Sequence, residues 1–245
     1  MRMEEKSIPQ QFLEATALRQ GGPVPVPWGK ELPPAEKPVP ADANLIPLPE
    51  PGLLPDRNVN FLEIVELRST VREYSSEPLS LEELSYLLWC TQGVKMALPG
   101  GDSRRTVPSA GGRHAFETYL YLRRVEGLEE GLYRFLAFEH ALVLEAPPGE
   151  AFFAGFRAGN MVRSSAATFV WSAVLERMAC KFGDRAYRYL FLDAGHVCEN
   201  LYLAGQTIHV GVCAIGAFYD EALNAALKLD GEHEFVVYGA AVGKL

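Results

Sequence analysis

With 245 residues, 48% of them hydrophobic, and a formal net charge of −8, the chain has material for a sizeable core and the balance of an ordinary globular protein. That acidity argues against nucleic acid or anionic membrane as the main partner, so any anion site must be a local basic pocket. The four cysteines, Cys90, Cys180, Cys198 and Cys213, form no CxxC pair and no Cys/His ligand spacing. No metal site is therefore expected, and most of the cysteines read as reduced core residues. There is no basic-then-apolar leader pattern and no apolar run of spanning length, which reads as a cytoplasmic protein.

Twelve of the seventeen prolines lie in residues 1–55. The run "GGPVPVPWGKELPPAEKPVPADANLIPLPEPG" excludes regular helix and central strand. The expectation is an extended N-terminal arm over 1–55 and a globular domain over 56–245. Trp28, Leu45, Ile46 and Leu48 favour an arm that packs on its own domain or on a partner subunit over a loose tail. Asn60-Phe-Leu-Glu63 is a capping-box pattern for a first helix ending near Arg68. Ser80-Leu-Glu-Glu83 opens a second, with Gly93 as its stop. Residues 94–107 read as loop. "FETYLYLRRV" and "GLYRFLAFEHALVLEA" read as antiparallel strands, "EAFFAGFRAG" as a short helix and "AATFVWSAVL" as another strand. The strongest helix is 184–207, apolar at i, i+3, i+4, i+7 and beyond, and expected to be central and mostly buried. A strand ("GVCAIGAF"), a helix ("YDEALNAALKL") and a last strand ("EFVVYGAAVG") follow, so the order of elements predicts an α+β fold with a mainly antiparallel sheet.

No Rossmann fingerprint, P-loop, nucleophile elbow or HExxH occurs. Two stretches carry chemistry instead. In "RSTVREY", Arg68 and Arg72 bracket Ser69 and Thr70 at a helix end. Guanidinium groups bind phosphate through paired charge-assisted hydrogen bonds, and hydroxyls and free N–H groups fill the remaining oxygens. The plain alternative is a solvated helix end with salt bridges to Glu66 or Glu73. In "RRTVPSAGGRHAFE", the small residues after Pro108 let backbone approach a flat ligand closely. The plain alternative is a turn before a strand.

Taken in order with "PLSLEELSYLLWCTQG", "GLYRF", "FGDRAYRYLFLDAGHVCENLYLAG" and "IGAF", these stretches resemble the nitroreductase-like flavoprotein superfamily, and within it the SagB-type branch that includes azoline dehydrogenases. The resemblance spans about 60–245. It implies a nitroreductase-like α+β fold, an intertwined homodimer with the long helix at its core, and FMN bound at the interface. Arg68, Ser69, Thr70 and Arg72 match the phosphate element. Pro108, Ser109, Ala110 and Gly111 match a segment that reaches the flavin from the other subunit. Ile215, Gly216 and Ala217 match the segment beside the reactive flavin nitrogen, and Lys244 matches, loosely, a late basic residue near the phosphate. His114 is open between a site residue and a structural histidine. Azoline dehydrogenases of this branch carry a Lys-Tyr pair before the Gly-x-Arg-x-Tyr-Arg stretch, the lysine a candidate base. This chain has Lys181-Phe182, so Lys181 is open between a base and a solvated helix-end lysine. The implied function is an FMN-dependent oxidoreductase passing hydride between a nicotinamide donor, NAD(P)H, and a small acceptor such as a nitroaromatic or quinone. An azoline dehydrogenase, a non-catalytic flavin-binding protein, and an unrelated domain binding another phosphorylated ligand are the alternatives.

Overall fold

A computed structural model describes residues 6–18, 20, 26–29, 33–54 and 60–245. Parts of the proline-rich run (21–25 and 30–32) and the expected boundary at 55–59 lie outside these residues. The strands are β1 (Leu45–Pro47), β2 (Val94–Ala97), β3 (Ser103–Arg105), β4 (Phe116–Leu122), β5 (Gly131–Leu136), β6 (Ala141–Ala146), β7 (Ala167–Val174), β8 (Val210–Ile215) and β9 (Glu234–Lys244). The helices are α1 (Ile8–Ala15), α2 (Phe61–Leu67), α3 (Leu81–Gln92), α4 (Glu150–Ala154), α5 (Gly159–Ser164), α6 (Leu175–Phe182), α7 (Ala186–Thr207) and α8 (Asp220–Ala226). Seven strands form one antiparallel sheet in the order β1-β6-β5-β4-β7-β9-β8.

Alternation along the central strands builds the two faces. In β4, Phe116, Leu120 and Leu122 join a core with α3, α6 and α7, while Tyr119 and Tyr121 turn to a second core with α4 and α8. All seven β4 positions are buried, because helices cover both faces. Trp171 and Phe169 of β7 are fully buried on the α7 side. Asn60 caps α2 by accepting from Leu62 N at 3.0 Å without the expected capping box to Glu63, whereas Ser80 and Glu83 make a complete capping box.

Four further expectations change. Residues 94–105 are not all loop: β2 and β3 pair as a small hairpin. Its glycine-rich connection, with Gly100 and Gly101 both at positive φ, hid two short strands. Within the supposedly extended arm, 8–15 is a helix opened by a Ser7–Gln10 capping box, with Pro9 in its first turn where no N–H is needed. Helix α7 starts at Ala186, after a single 3-10 turn over Gly183–Arg185. It buries one face, whereas Phe191 and Leu192 are 56% and 57% exposed.

The described parts of the arm are bound to the domain. The carbonyl end of α1, where the helix dipole is negative, meets two guanidinium groups. Arg185 bonds the Thr16 carbonyl, and Arg188 bonds Thr16 Oγ1 at 2.6 Å. Trp28 N donates to the Ala179 carbonyl of α6 at 2.9 Å. Further on, Arg177 Nε donates to Pro34 O (2.7 Å), Arg134 to Lys37 O (3.0 Å), and Lys37 N to Glu117 Oε1 (2.7 Å). Glu117, Arg134 and Arg177 are each at most 4% exposed, so the arm is tied to a buried ion cluster. It then supplies β1, an edge strand that tolerates Pro47.

Candidate functional site

The "RSTVREY" stretch leaves α2 at Arg68 and runs beside β8 and β9. Thr70 bridges Val212 in parallel, Val71 N donates to Val212 O at 3.0 Å, and Ser75 N donates to Lys244 O at 3.0 Å. Gly211 permits this approach, since a Cβ there would lie 2.7 Å from Val71 Cγ1. The Tyr74 hydroxyl locks the segment by donating to the Val71 carbonyl (2.9 Å) and the Ala241 carbonyl (3.1 Å).

Tyr202 of α7 organises what this segment presents. Its hydroxyl accepts from Ala214 N at 2.8 Å and lies 3.3 Å from Thr70 Oγ1, and its ring sits 5.4 Å beneath the Arg68 guanidinium. Ser69, Thr70 and Arg72 are exposed and Arg68 is half-buried. Among the described residues no carboxylate pairs with Arg68 or Arg72, so neither Glu66 nor Glu73 makes the salt bridge of the plain alternative. Two uncompensated guanidinium groups and a hydroxyl in a chain of net charge −8 suit a phosphate. Tyr202 also joins this cluster to the end of β8, where Ile215 is buried and Gly216 and Ala217 are exposed. Lys244 lies on the neighbouring strand, but its ammonium is held 2.8 Å from Glu83 Oε1.

The second stretch is built elsewhere. Pro108 and Gly111 are exposed, and Ser109 and Ala110 half-buried. Ala110 N lies 3.2 Å from each carboxylate oxygen of Asp193, which is 4% exposed on α7. His114 N donates to Ser109 Oγ at 2.9 Å. The backbone is left-handed at Gly111 (φ 60°), Gly112 (φ 68°) and His114 (φ 45°). A Cβ on Gly111 would lie 2.9 Å from Lys181 Nζ and from Phe182 Cζ, so this loop, Lys181 and Phe182 are in contact. The Lys181 side chain is otherwise exposed. The His114 imidazole is 7% exposed, and burial, followed by Arg105 and Arg113, lowers its pKa to about 4. It is neutral at pH 7.

The structure therefore sorts the expected residues into two groups. Arg68 and Thr70 meet Tyr202, on the segment that also carries Ser69 and Arg72, and Tyr202 bonds Ala214 just ahead of Ile215, Gly216 and Ala217. The Pro108–Gly111 loop, with Ser109 and Ala110, bonds Asp193 through Ala110 N, holds His114 through Ser109, and touches Lys181 through Gly111. Nine residues separate Asp193 from Tyr202, a half-turn of rotation and about 14 Å along α7. The two groups thus occupy opposite faces of one helix. Sequence reasoning missed Tyr202 and Asp193. Asp193 left a signal, a carboxylate at a buried-stripe position between Leu190 and Val197. Tyr202 left none beyond its place in an apolar helix.

Residues 65–244 match the model of the nitroreductase family. A protein of Methanocaldococcus jannaschii described as a "putative nitroreductase" is 34% identical over 181 residues, covering 72% of this chain and 88% of its own. The chain belongs to the nitroreductase family. A crystal structure from Ralstonia eutropha JMP134 with the same description is 27% identical, covers 90% of this chain and 97% of its own, and superposes with a TM-score of 0.68. Another, from Desulfovibrio desulfuricans in complex with FMN, shares the fold at 17% identity and TM-score 0.55, covering 76% of this chain and 87% of its own. The arm up to Leu54 lies outside the family match. Among the described residues no helix is long and apolar enough to cross a membrane, and no cluster of three His, Cys, Asp or Glu side chains is placed to hold a metal.

Proposed function

We propose that the chain is an FMN-dependent oxidoreductase that works as a homodimer and passes hydride from NAD(P)H to a small acceptor such as a nitroaromatic or quinone. The observation that carries this reading is the segment bearing Arg68, Thr70 and Arg72, with Arg68 and Thr70 set against Tyr202 and neither arginine paired with a carboxylate among the described residues. Arg68, Ser69, Thr70 and Arg72 bind the FMN phosphate. Tyr202 holds Thr70 and the β8 end in register, and the exposed backbone at Gly216 and Ala217 faces the ring. When bound, FMN supplies the hydride-accepting and hydride-donating centre. Around it the chain's own groups position, exclude water and set charge. Neutral His114 adds no cation to the loop, whose Gly111 touches the exposed Lys181.

Two features support the homodimer. The Ser109–Gly111 loop and the arginine cluster lie on opposite faces of α7, so one chain does not bring them to a single flavin. The outward side of α2 is apolar, with Phe61 70% and Leu62 62% exposed, and Phe191 and Leu192 of α7 are open as well. Such a surface is covered by a partner in stable proteins. The proline-rich arm, bound along α6 beside Lys181, forms one outer wall of the site.

The contact between Lys181 and Gly111 favours a second reading within the SagB-type branch. There Lys181 removes a proton from an azoline substrate as hydride leaves it. Phe182 stands where those dehydrogenases carry a tyrosine, so the reductase remains the leading reading.

The deciding experiment is the visible spectrum of the purified chain, with acid-released cofactor identified by mass. One FMN per subunit supports the reading, and steady oxidation of NAD(P)H by a quinone separates a reductase from a flavin carrier. A colourless protein that takes up no FMN on incubation defeats it.

A further inference from the structure

We infer that Asp193 is a positioning residue for the flavin site: it fixes the Pro108–Gly111 loop that each subunit lends to its partner. This rests on the FMN-homodimer reading above and goes beyond it in naming the group that holds the loop.

Asp193 sits on the buried stripe of α7, 4% exposed. Among the described residues it has no Lys or Arg partner within salt-bridge distance. A carboxylate buried without a cation is a costly choice for a helix core, where an apolar side chain would be cheaper. Its partners are all in one loop. Ala110 N approaches both oxygens at 3.2 Å, and Ser109, the residue before it, favours the charged carboxylate. The Ser109 hydroxyl oxygen accepts from His114 N at 2.9 Å, closing the loop on itself. Between these anchors the chain adopts left-handed backbone at Gly111, Gly112 and His114. At His114, though not at the glycines, such backbone persists only where its surroundings over-determine it. The anchored loop then packs on Lys181 and Phe182 through Gly111. Among the described residues Asp193 is thus the α7 side chain that hydrogen-bonds the loop carrying Ser109, Ala110, Gly111 and His114. The other residues of α7 that face the flavin reading, led by Tyr202, lie a half-turn and about 14 Å away. The loop serves the second subunit's arginines.

The test uses the full-length holoprotein and FMN as the probe. Asp193→Ala is expected to weaken FMN binding at least tenfold. Asp193→Asn should stay within about threefold of wild type, because its Oδ1 accepts from Ala110 N and its amide donates to the Ser109 hydroxyl. A merely structural role predicts the same loss of folding stability in both variants and no rescue. Mixed dimers of Arg72→Ala and Asp193→Ala chains, isolated with two tags, read the cross-subunit action. One of their two sites then combines an intact arginine pair with an intact loop, so one tightly bound FMN per dimer is expected. No tight FMN in the mixed dimer overturns action across the interface. If Asp193→Ala does not fold, Ser109→Ala on the half-buried loop breaks the same anchor and should weaken FMN in the same way. Wild-type affinity in Asp193→Ala, or in Ser109→Ala where that stands in, overturns the assignment while leaving the FMN reading intact. Failure of the wild-type chain to bind FMN overturns both.

Discussion

Replacing His114 by Asn should flatten the acid limb of the protein's stability curve. The imidazole is buried beside Arg105 and Arg113, and its pKa falls from 6.5 to about 4 on folding. The neutral form is therefore the one the fold prefers. The contribution is fully present above pH 6.5 and is lost as pH falls toward 4, because the unfolded chain takes up a proton that the folded chain refuses. At about 1.4 kcal/mol per tenfold change in proton affinity, the loss is about 2 kcal/mol between pH 7 and pH 5 and about 3 kcal/mol by pH 4. Other groups titrate over the same range, so the quantity to read is the difference between wild type and His114→Asn. Asn is the suitable replacement because it tolerates the left-handed backbone found here, φ 45°. Urea unfolding at intervals from pH 4 to pH 8 gives both curves. The wild type should fall by about 2 kcal/mol more than the variant between pH 7 and pH 5. Parallel curves would refute the claim that this histidine is held neutral by burial and its two arginine neighbours.

Other consequences follow from the same geometry. Arg72→Ala should weaken FMN binding by roughly tenfold to a hundredfold, the worth of a charge-assisted contact of about 1.5–3 kcal/mol. It should leave apo stability within about 0.5 kcal/mol, because the guanidinium is exposed and has no carboxylate to lose; an equal fall in both would point to a structural arginine. Glu117→Gln should destabilise the chain by about 3 kcal/mol or more by stranding buried Arg177, while Arg134 keeps Glu145, measured by chemical denaturation. Gly183→Ala should loosen the arm, because its φ of 51° suits glycine and a new Cβ would lie 2.3 Å from the Val26 carbonyl oxygen. The expected cost is about 1–3 kcal/mol, with faster proteolysis ahead of residue 33 as the readout; unchanged cleavage would show that the arm is not held there. Lys181→Ala should leave FMN content unchanged. A loss of turnover confined to azoline substrates would favour the dehydrogenase reading.

Much of this protein was legible along the chain. Local physics fixed the Asn60 and Ser80 caps, the alternation that makes β4 a central strand, and the apolar stripe of α7, because each depends on neighbours within a turn or a strand. The pairing of Arg68 and Arg72 with Thr70 was legible too, since all lie within five residues. The helix at 8–15 was obscured by surrounding prolines although Ser7 and Gln10 mark its start. The β2–β3 hairpin was obscured by its glycines. What the sequence could not hold was the partition of the site. Tyr202 becomes the organiser of the arginine cluster only when β8 delivers Ala214 to it, and Asp193 finds Ala110 more than eighty residues away. Local periodicity places both side chains on α7. Only the packing of β8 and of the 108–114 loop against that helix decides that they serve two opposite faces.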